Sequence, residues 1–216
     1  MASDRRAAGV LARAQGLGIE AVRLHTPAAP DGEPLDACLA RLRADLVVLA
    51  GYLRLIPSAV VAGYHGRMLN VHPALLPAFG GAGMYGARVH QAVLDAGARV
   101  SGPTVHFVDE VFDHGAIVAQ WPVPVHPADT AATLAARVLR AEHALYPRVV
   151  HAVAAGAVSL GDGRVRWAGT SAVDDGAFEL ATPAERASVD PAGHPGDHSA
   201  DSEDVIATLR SLYPNL

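Results

Sequence analysis

The chain has 216 residues, half of them hydrophobic and 18% charged, which excludes a disordered chain and suits one sizeable core better than two full domains. A net charge of −5 argues against nucleic acid as the main partner, and no apolar run reaches the roughly 20 residues of a membrane-spanning helix. Cys38 is the only cysteine, so no internal disulfide can form and a reducing cytosol fits best; "MASDRRAAGVLARAQ" has the pattern of a helix and no apolar secretory core.

In chain order, Ala7, Val10, Leu11 and Ala14 share one face of a helix predicted over residues 4–15. "IEAVRLH" follows as a strand, then a turn-rich "TPAAPDGEP", a helix in "LDACLARLRA" and a buried strand in "DLVVLAGY". "GRMLNVH" is a short strand, "GARVHQAVLDAG" a helix, and "GPTVHFVD" and "IVAQWPVPV" are two more strands. A long helix starts at about Asp129, with Leu134, Val138, Leu145 and Val149 at helical spacing. Apolar strands separated by helices indicate an α/β sheet covered on both faces, in which chemistry gathers at the carboxyl ends of strands. Residues 169–216 hold nine acidic and two basic residues, while residues 1–168 carry a net charge of +2. The middle of that acidic segment, rich in Pro, Ala, Gly, Ser and Asp, reads as a flexible connector. It leads to a short terminal helix in "SEDVIATLRSLYPNL".

One stretch, "LNVHPALLPAFGGAG" over residues 69–83, sets an Asn and a His two residues apart at such a strand end, then spends two prolines and three glycines on an irregular loop. Residues two apart in a strand point the same way, so Asn70 and His72 face one site while Val71 packs behind. Pro73 holds His72 out of the helical region. An amide that donates to oxygen and an imidazole that carries a proton near neutral pH together suit a carbonyl passing through a tetrahedral oxyanion. An arbitrary Asn-x-His-Pro is more often a turn cap beside a structural histidine. A second cluster, "HFVDEVFDHG" over residues 106–115, follows a strand and concentrates three carboxylates. Asp113, followed by a His-Gly turn, is the natural partner to raise and orient an imidazole, while Asp109 and Glu110 also fit a solvated loop.

"LAGYLRLI", "LNVHPALLPAFGG", "VHQAVLDAGARVSGPTVHFVDEVFDHGAIVAQWPVPV" and "RAEHALYP" together resemble the phosphoribosylglycinamide formyltransferases, folate-dependent enzymes of purine synthesis. The resemblance runs over about residues 3–167 and implies the formyltransferase fold, a Rossmann-like, mostly parallel sheet with helices on both faces. It implies a formyltransferase domain over residues 1–168 that passes the formyl group of 10-formyltetrahydrofolate to the amine of glycinamide ribonucleotide by direct attack, with no metal. Asn70 would then bind the formyl oxygen, His72 act as general acid and electrostatic partner, and Asp113 tune His72 and assist proton transfer. The folate pocket would use Leu53, Arg54, Leu55 and Ile56 with the loop from Asp109 to Asp113, Asn70 included. Glu142 would bind the glycinamide substrate, and His106 would support the site. Small molecules are the implied partners, with no nucleic acid or membrane; a homodimer is left open. The Asn-x-His plus Asp signature is shared with a wider superfamily of formyltetrahydrofolate-using transferases and hydrolases, which supplies an alternative activity.

The resemblance breaks at one end. The family's opening strand, Gly-Ser-Asn phosphate loop, helix and second strand have no match, nor does an arginine often found where "PDGEP" stands. The expectation is that the recorded start is late in the gene. The alternatives are that the acidic segment or a partner covers the gap, or that the chain is a folate-binding or assembly remnant without catalysis.

Overall fold

The computed structural model describes residues 1–5, 7–27 and 29–168. The acidic segment and the terminal helix expected within residues 169–216 lie outside them. In chain order the elements are β1 (Ala2–Ser3), α1 (Gly9–Gly16), β2 (Val22–Arg23), α2 (Leu35–Leu42), β3 (Val47–Leu49), α3 (Ser58–Gly63), β4 (Met68–His72) and α4 (Ala87–Asp95). They continue with β5 (Val100–Ser101), β6 (Thr104–Phe107), β7 (Ile117–Gln120), β8 (Val123–Pro124), α5 (Ala131–Ala154), β9 (Val158–Gly161) and β10 (Arg164–Trp167). The class is α/β, as the alternating pattern implies.

The central sheet runs β3-β4-β6-β7. β3 and β4 are parallel, as are β1 and β2 in a separate pair, while β6 runs antiparallel to both of its neighbours, β4 and β7. The β6–β7 pairing has a direct cause: the two strands are joined by a loop without a crossover helix, and such a loop returns the chain antiparallel. α5 lies along β4, β6, β7 and β8 and packs on α4. Val93, Val123, Val125, Leu134, Val138 and Ala141 form the core on that side. A second cluster, built from Leu39, Val47, Ile56, Val60, Val61 and Met68, fills the side of α2 and α3. The helical spacing read for α5 holds, since Leu134, Val138, Leu145 and Val149 are all buried. Its start is fixed by Thr130, which exchanges side chain-to-backbone hydrogen bonds with Thr133.

Several sequence expectations need correction. α1 begins at Gly9, and of its expected apolar face only Ala14 is buried, with Val10 exposed. Asp4, placed inside the expected helix, instead accepts from Arg54 Nε at 3.0 Å, and the residues before it pair with β2. β3 is an edge strand of its sheet, so Val48 is 43% exposed where a buried strand was expected. The strand expected over residues 117–125 breaks in two around Trp121 and Pro122, because proline cannot donate to the ladder. Two features had signals that went unread. Pro57 opens α3, a usual place for proline, and Asp162-Gly163, both at positive φ, turn the β9–β10 hairpin. No helix among the described residues is long and apolar enough to cross a membrane.

Candidate active site

β4 and β6 present a patch of four polar side chains. Asn70 lies opposite His106 and His72 opposite Thr104 in the antiparallel register, so all four share one face. Asn70 Nδ2 is 3.2 Å from His106 Nε2. Thr104, fully buried, ties down the chain just beyond His72: its hydroxyl donates to the Ala74 carbonyl at 2.7 Å and accepts from Leu76 N–H at 3.0 Å. Gln120 on β7 adds bonds to the Leu76 carbonyl and to the same hydroxyl. The loop that begins at Pro73 is therefore held by β6 and β7, and Leu76–Pro77 within it is a cis peptide.

The glycine-rich continuation brings backbone groups onto the catalytic candidates. The Phe79 carbonyl accepts from His72 Nε2 at 2.8 Å, and Gly81 N–H donates to Asp113 Oδ2 at 2.9 Å. A Cβ at Gly80 would meet Leu76 Cδ2 at 2.5 Å and Asp113 Cβ at 3.1 Å, so glycine lets the loop lie this close without displacing either side chain. Asp113 itself sits at φ +53° in the β6–β7 loop, two residues before Gly115, where any Cβ would overlap the Phe107 carbonyl. Its Oδ2 is 3.3 Å from His72 Nδ1 and its Oδ1 is 3.7 Å from His106 Nε2. Asn70, His72, Asp113 and His106 thus converge, as the two sequence clusters suggested.

The electrostatics set the proton inventory. Burial pulls the His72 imidazole below its ordinary pKa, partly offset by the Asp113 charge and the bond to the Phe79 carbonyl. Burial pushes the Asp113 carboxyl up, but the neighbouring imidazole groups of His106 and His72, wherever they are protonated, and the bond from Gly81 N–H outweigh it and hold Asp113 below the usual carboxylate value. Of these, the bond from Gly81 is the firm one, since 3.7 Å to His106 is too long for a hydrogen bond. At neutral pH this favours an ionised Asp113 beside a neutral His72 whose proton sits on Nε2, leaving the Nδ1 lone pair facing a carboxylate. A proton that arrives there is bonded on both sides at once. Asp113 is the more accessible of the pair, with side-chain exposure of 11% against 3% for His72, so the carboxylate stands on the path to solvent.

The other sequence candidates lie around this centre. Leu53 and Leu55 are exposed apolar residues beyond β3, and Ile56 is buried in the same cluster that packs Val108 at the start of the β6–β7 loop. The two segments named for folate therefore border one region. Arg54 is engaged by Asp4 and, with Leu55, lines a neighbouring cavity of about 590 Å³ whose walls include His25, Leu35, Tyr52 and Tyr64. Asn70, His72 and Asp113 do not line that cavity. Asp109 caps Val111 N–H and pairs with His114 at 2.7 Å, which shapes the loop without touching His72. Glu142 is half-buried on α5, and desolvation pushes its carboxyl up to about 6. Four residues on, the buried Tyr146 hydroxyl lies 2.7 Å from the Leu49 carbonyl and 3.1 Å from that of Leu69. This anchors the same face of α5 under the ends of β3 and β4.

Sequence reasoning missed Thr104, Gln120 and the backbone groups of Phe79 and Gly81. Thr104 did carry a signal: it is a polar residue two positions from His106 in an otherwise apolar strand.

The sequence profile described as formyl transferase matches residues 11–150. The chloroplastic phosphoribosylglycinamide formyltransferase of Vigna unguiculata is 56% identical over 115 residues, which is 53% of this chain and 37% of that protein. The Bacillus subtilis phosphoribosylglycinamide formyltransferase is 42% identical over 106 residues, 49% of this chain and 52% of its own. The chain thus spans between about a third and a half of the length of these curated relatives. Among solved structures, the phosphoribosylglycinamide formyltransferase of Anaplasma phagocytophilum superposes with a TM-score of 0.69 at 33% identity, covering 79% of this chain and 81% of that one. That of Brucella melitensis gives a TM-score of 0.59 at 45% identity, covering 72% and 79%. The profile takes in both halves of the patch, from the strand bearing Asn70 and His72 to the helix bearing Glu142, and on that footing the chain belongs to the formyl transferase family.

Proposed function

We propose that the chain transfers the formyl group of 10-formyltetrahydrofolate to the amine of glycinamide ribonucleotide; its similarity to phosphoribosylglycinamide formyltransferases supports formyl transfer to that acceptor. The observation that carries this reading is the convergence of an amide donor, a buried imidazole and an ionised carboxylate within 3.7 Å contacts on one strand end. Leu53 and Leu55 offer exposed apolar surface for a flat ring system, Ile56 packs beneath them in the cluster that also takes in Val108, and Asp109 shapes the loop that follows, so the residues present fit a folate. The folate supplies the formyl group.

Asn70 offers an amide N–H to the formyl oxygen, whose negative charge grows during attack; a donor fixed in a dry site needs no reorganisation at that moment. The amine must shed a proton as it forms its new C–N bond. Collapse of the tetrahedral oxyanion breaks the bond from the formyl carbon to the folate nitrogen, which takes up that proton and leaves as tetrahydrofolate. His72 Nδ1 and Asp113 are placed to take the proton from the amine, with Asp113 on the solvent side and His72 held by the Phe79 carbonyl. Glu142, whose carboxyl is pushed up to about 6 by burial and is mostly ionised at pH 7, is suited to bind and orient an amine or ammonium.

The test is an assay of the full chain with both substrates, scored for formylated glycinamide ribonucleotide and for free formate. Transfer to the amine that disappears in His72→Ala is the expected result. Formate release without an acceptor would replace this reading with a hydrolase. Folate binding without turnover would replace it with a binding module.

A further inference from the structure

The contact between Asn70 and His106 determines which way the Asn70 amide faces. His106 is 2% exposed, and its Nδ1 lies 2.8 Å from the Phe107 carbonyl, a group that can only accept. Nδ1 therefore carries a proton. Its other nitrogen, Nε2, lies 3.2 Å from Asn70 Nδ2, which can only donate. Nε2 must present its lone pair. The two bonds together require the neutral Nδ1–H tautomer.

The same Nε2 is 3.7 Å from Asp113 Oδ1. A proton on Nε2 would turn this nitrogen into a donor, and the Asn70 amide would then have to rotate to offer its oxygen instead. Two self-consistent arrangements exist, and they differ in whether Asn70 has its nitrogen or its oxygen turned towards β6. Both arrangements fix the plane of the amide: the first holds one N–H of Asn70 in a protein bond and leaves the other free in a set direction, whereas the second turns both N–H groups away from β6.

We propose that His106 is a positioning residue for the reaction: held as the Nδ1–H tautomer by the Phe107 carbonyl, it accepts one N–H of Asn70 and thereby aims the other at the formyl oxygen. This rests on the transferase reading of the site. His106 touches no reacting atom and acts through Asn70. A purely structural histidine would fill the same space without requiring an acceptor at Nε2.

Nitrogen-15 spectra of histidine-labelled full chain at pH 7, with His106 assigned by loss of its signals in His106→Gln, read the tautomer directly. Protonated Nδ1 with unprotonated Nε2 is expected; protonation of Nε2, in either the alternative tautomer or the imidazolium, overturns the proposal. The spectrum needs no turnover, so it separates failure of this proposal from failure of the transferase reading. In the active chain, His106→Leu is expected to lower kcat by about 100-fold, the loss associated with misplacing a reacting group by about 1 Å, with the folate KM little changed. His106→Gln, which can place an acceptor oxygen near the former Nε2, is expected to recover most of that loss. Equal impairment of the Leu and Gln variants, or a KM that rises as kcat falls, overturns the proposal.

Discussion

Replacing Thr104 by valine keeps the shape of a fully buried side chain and removes only its hydroxyl. That hydroxyl bonds the Ala74 carbonyl, Leu76 N–H and Gln120 Nε2. Gln120 keeps its bond to the Leu76 carbonyl, so the main loss falls on two backbone groups of the loop after His72. A buried polar group left unpaired costs about 1–3 kcal/mol, which gives roughly 3 kcal/mol for the pair after some relaxation. Thr104→Ser keeps the hydroxyl and deletes one buried methyl, at about 1 kcal/mol. Urea unfolding of the full chain separates the two. With a slope of about 2 kcal/mol per molar, the valine variant should lower the midpoint by roughly 1.5 M and the serine variant by roughly 0.5 M. Turnover should fall in the valine variant, because the same loop delivers the Phe79 carbonyl to His72 and Gly81 N–H to Asp113. A serine variant as destabilised as the valine variant would show that methyl packing, and not the hydroxyl network, holds the loop.

Three further outcomes are expected. Gly115→Ala forces a Cβ onto the Phe107 carbonyl and should cost about 2 kcal/mol while lowering turnover through displacement of Asp113; an alanine variant with unchanged urea midpoint and rate would contradict the close approach. His72 and His90 are both held below their ordinary pKa, chiefly by burial, so the fold binds fewer protons than the unfolded chain. Their contribution to stability is whole above about pH 6.5 and is lost as pH falls through the lowered values. The urea midpoint should drop from pH 7.5 to 5.5, less steeply in His90→Leu, and an equally steep drop in that variant would remove His90 from the account. The Glu142 carboxyl, pushed up to about 6 by burial, should titrate near that value by carbon-13 NMR, and a midpoint near 4.5 would mean that it is solvated.

Much of the site was legible because strand geometry is local. Asn70 and His72, two residues apart on β4, had to share a face, and the proline and glycine flanks announced a loop with special backbone demands. Asp113 was legible as a carboxylate ahead of a turn, although its approach to His72 depends on the antiparallel β6–β7 pair. Main-chain partners were not legible: nothing in the identity of Phe79 says that its carbonyl will meet an imidazole. The expected burial of α1 and β3 failed for a related reason. Apolar spacing marks a face that can be buried, but whether it is depends on what packs or pairs against it, and β3 has no strand on its far side among the described residues. Arg54 illustrates the same limit, since its motif suggested a pocket role and its guanidinium is engaged by Asp4 from the other end of the fold.

The central claim is that His72 and Asp113 serve the chemical step and not the binding of folate. The most direct measurement compares single-turnover formyl transfer with the dissociation constant for a non-reactive folate in the full chain, His72→Ala and Asp113→Asn. Loss of a positioned acid–base group predicts a fall in rate of about 100-fold or more with binding within about threefold. Parallel losses of rate and binding in both variants would contradict the account and make the pair a structural support of the folate pocket.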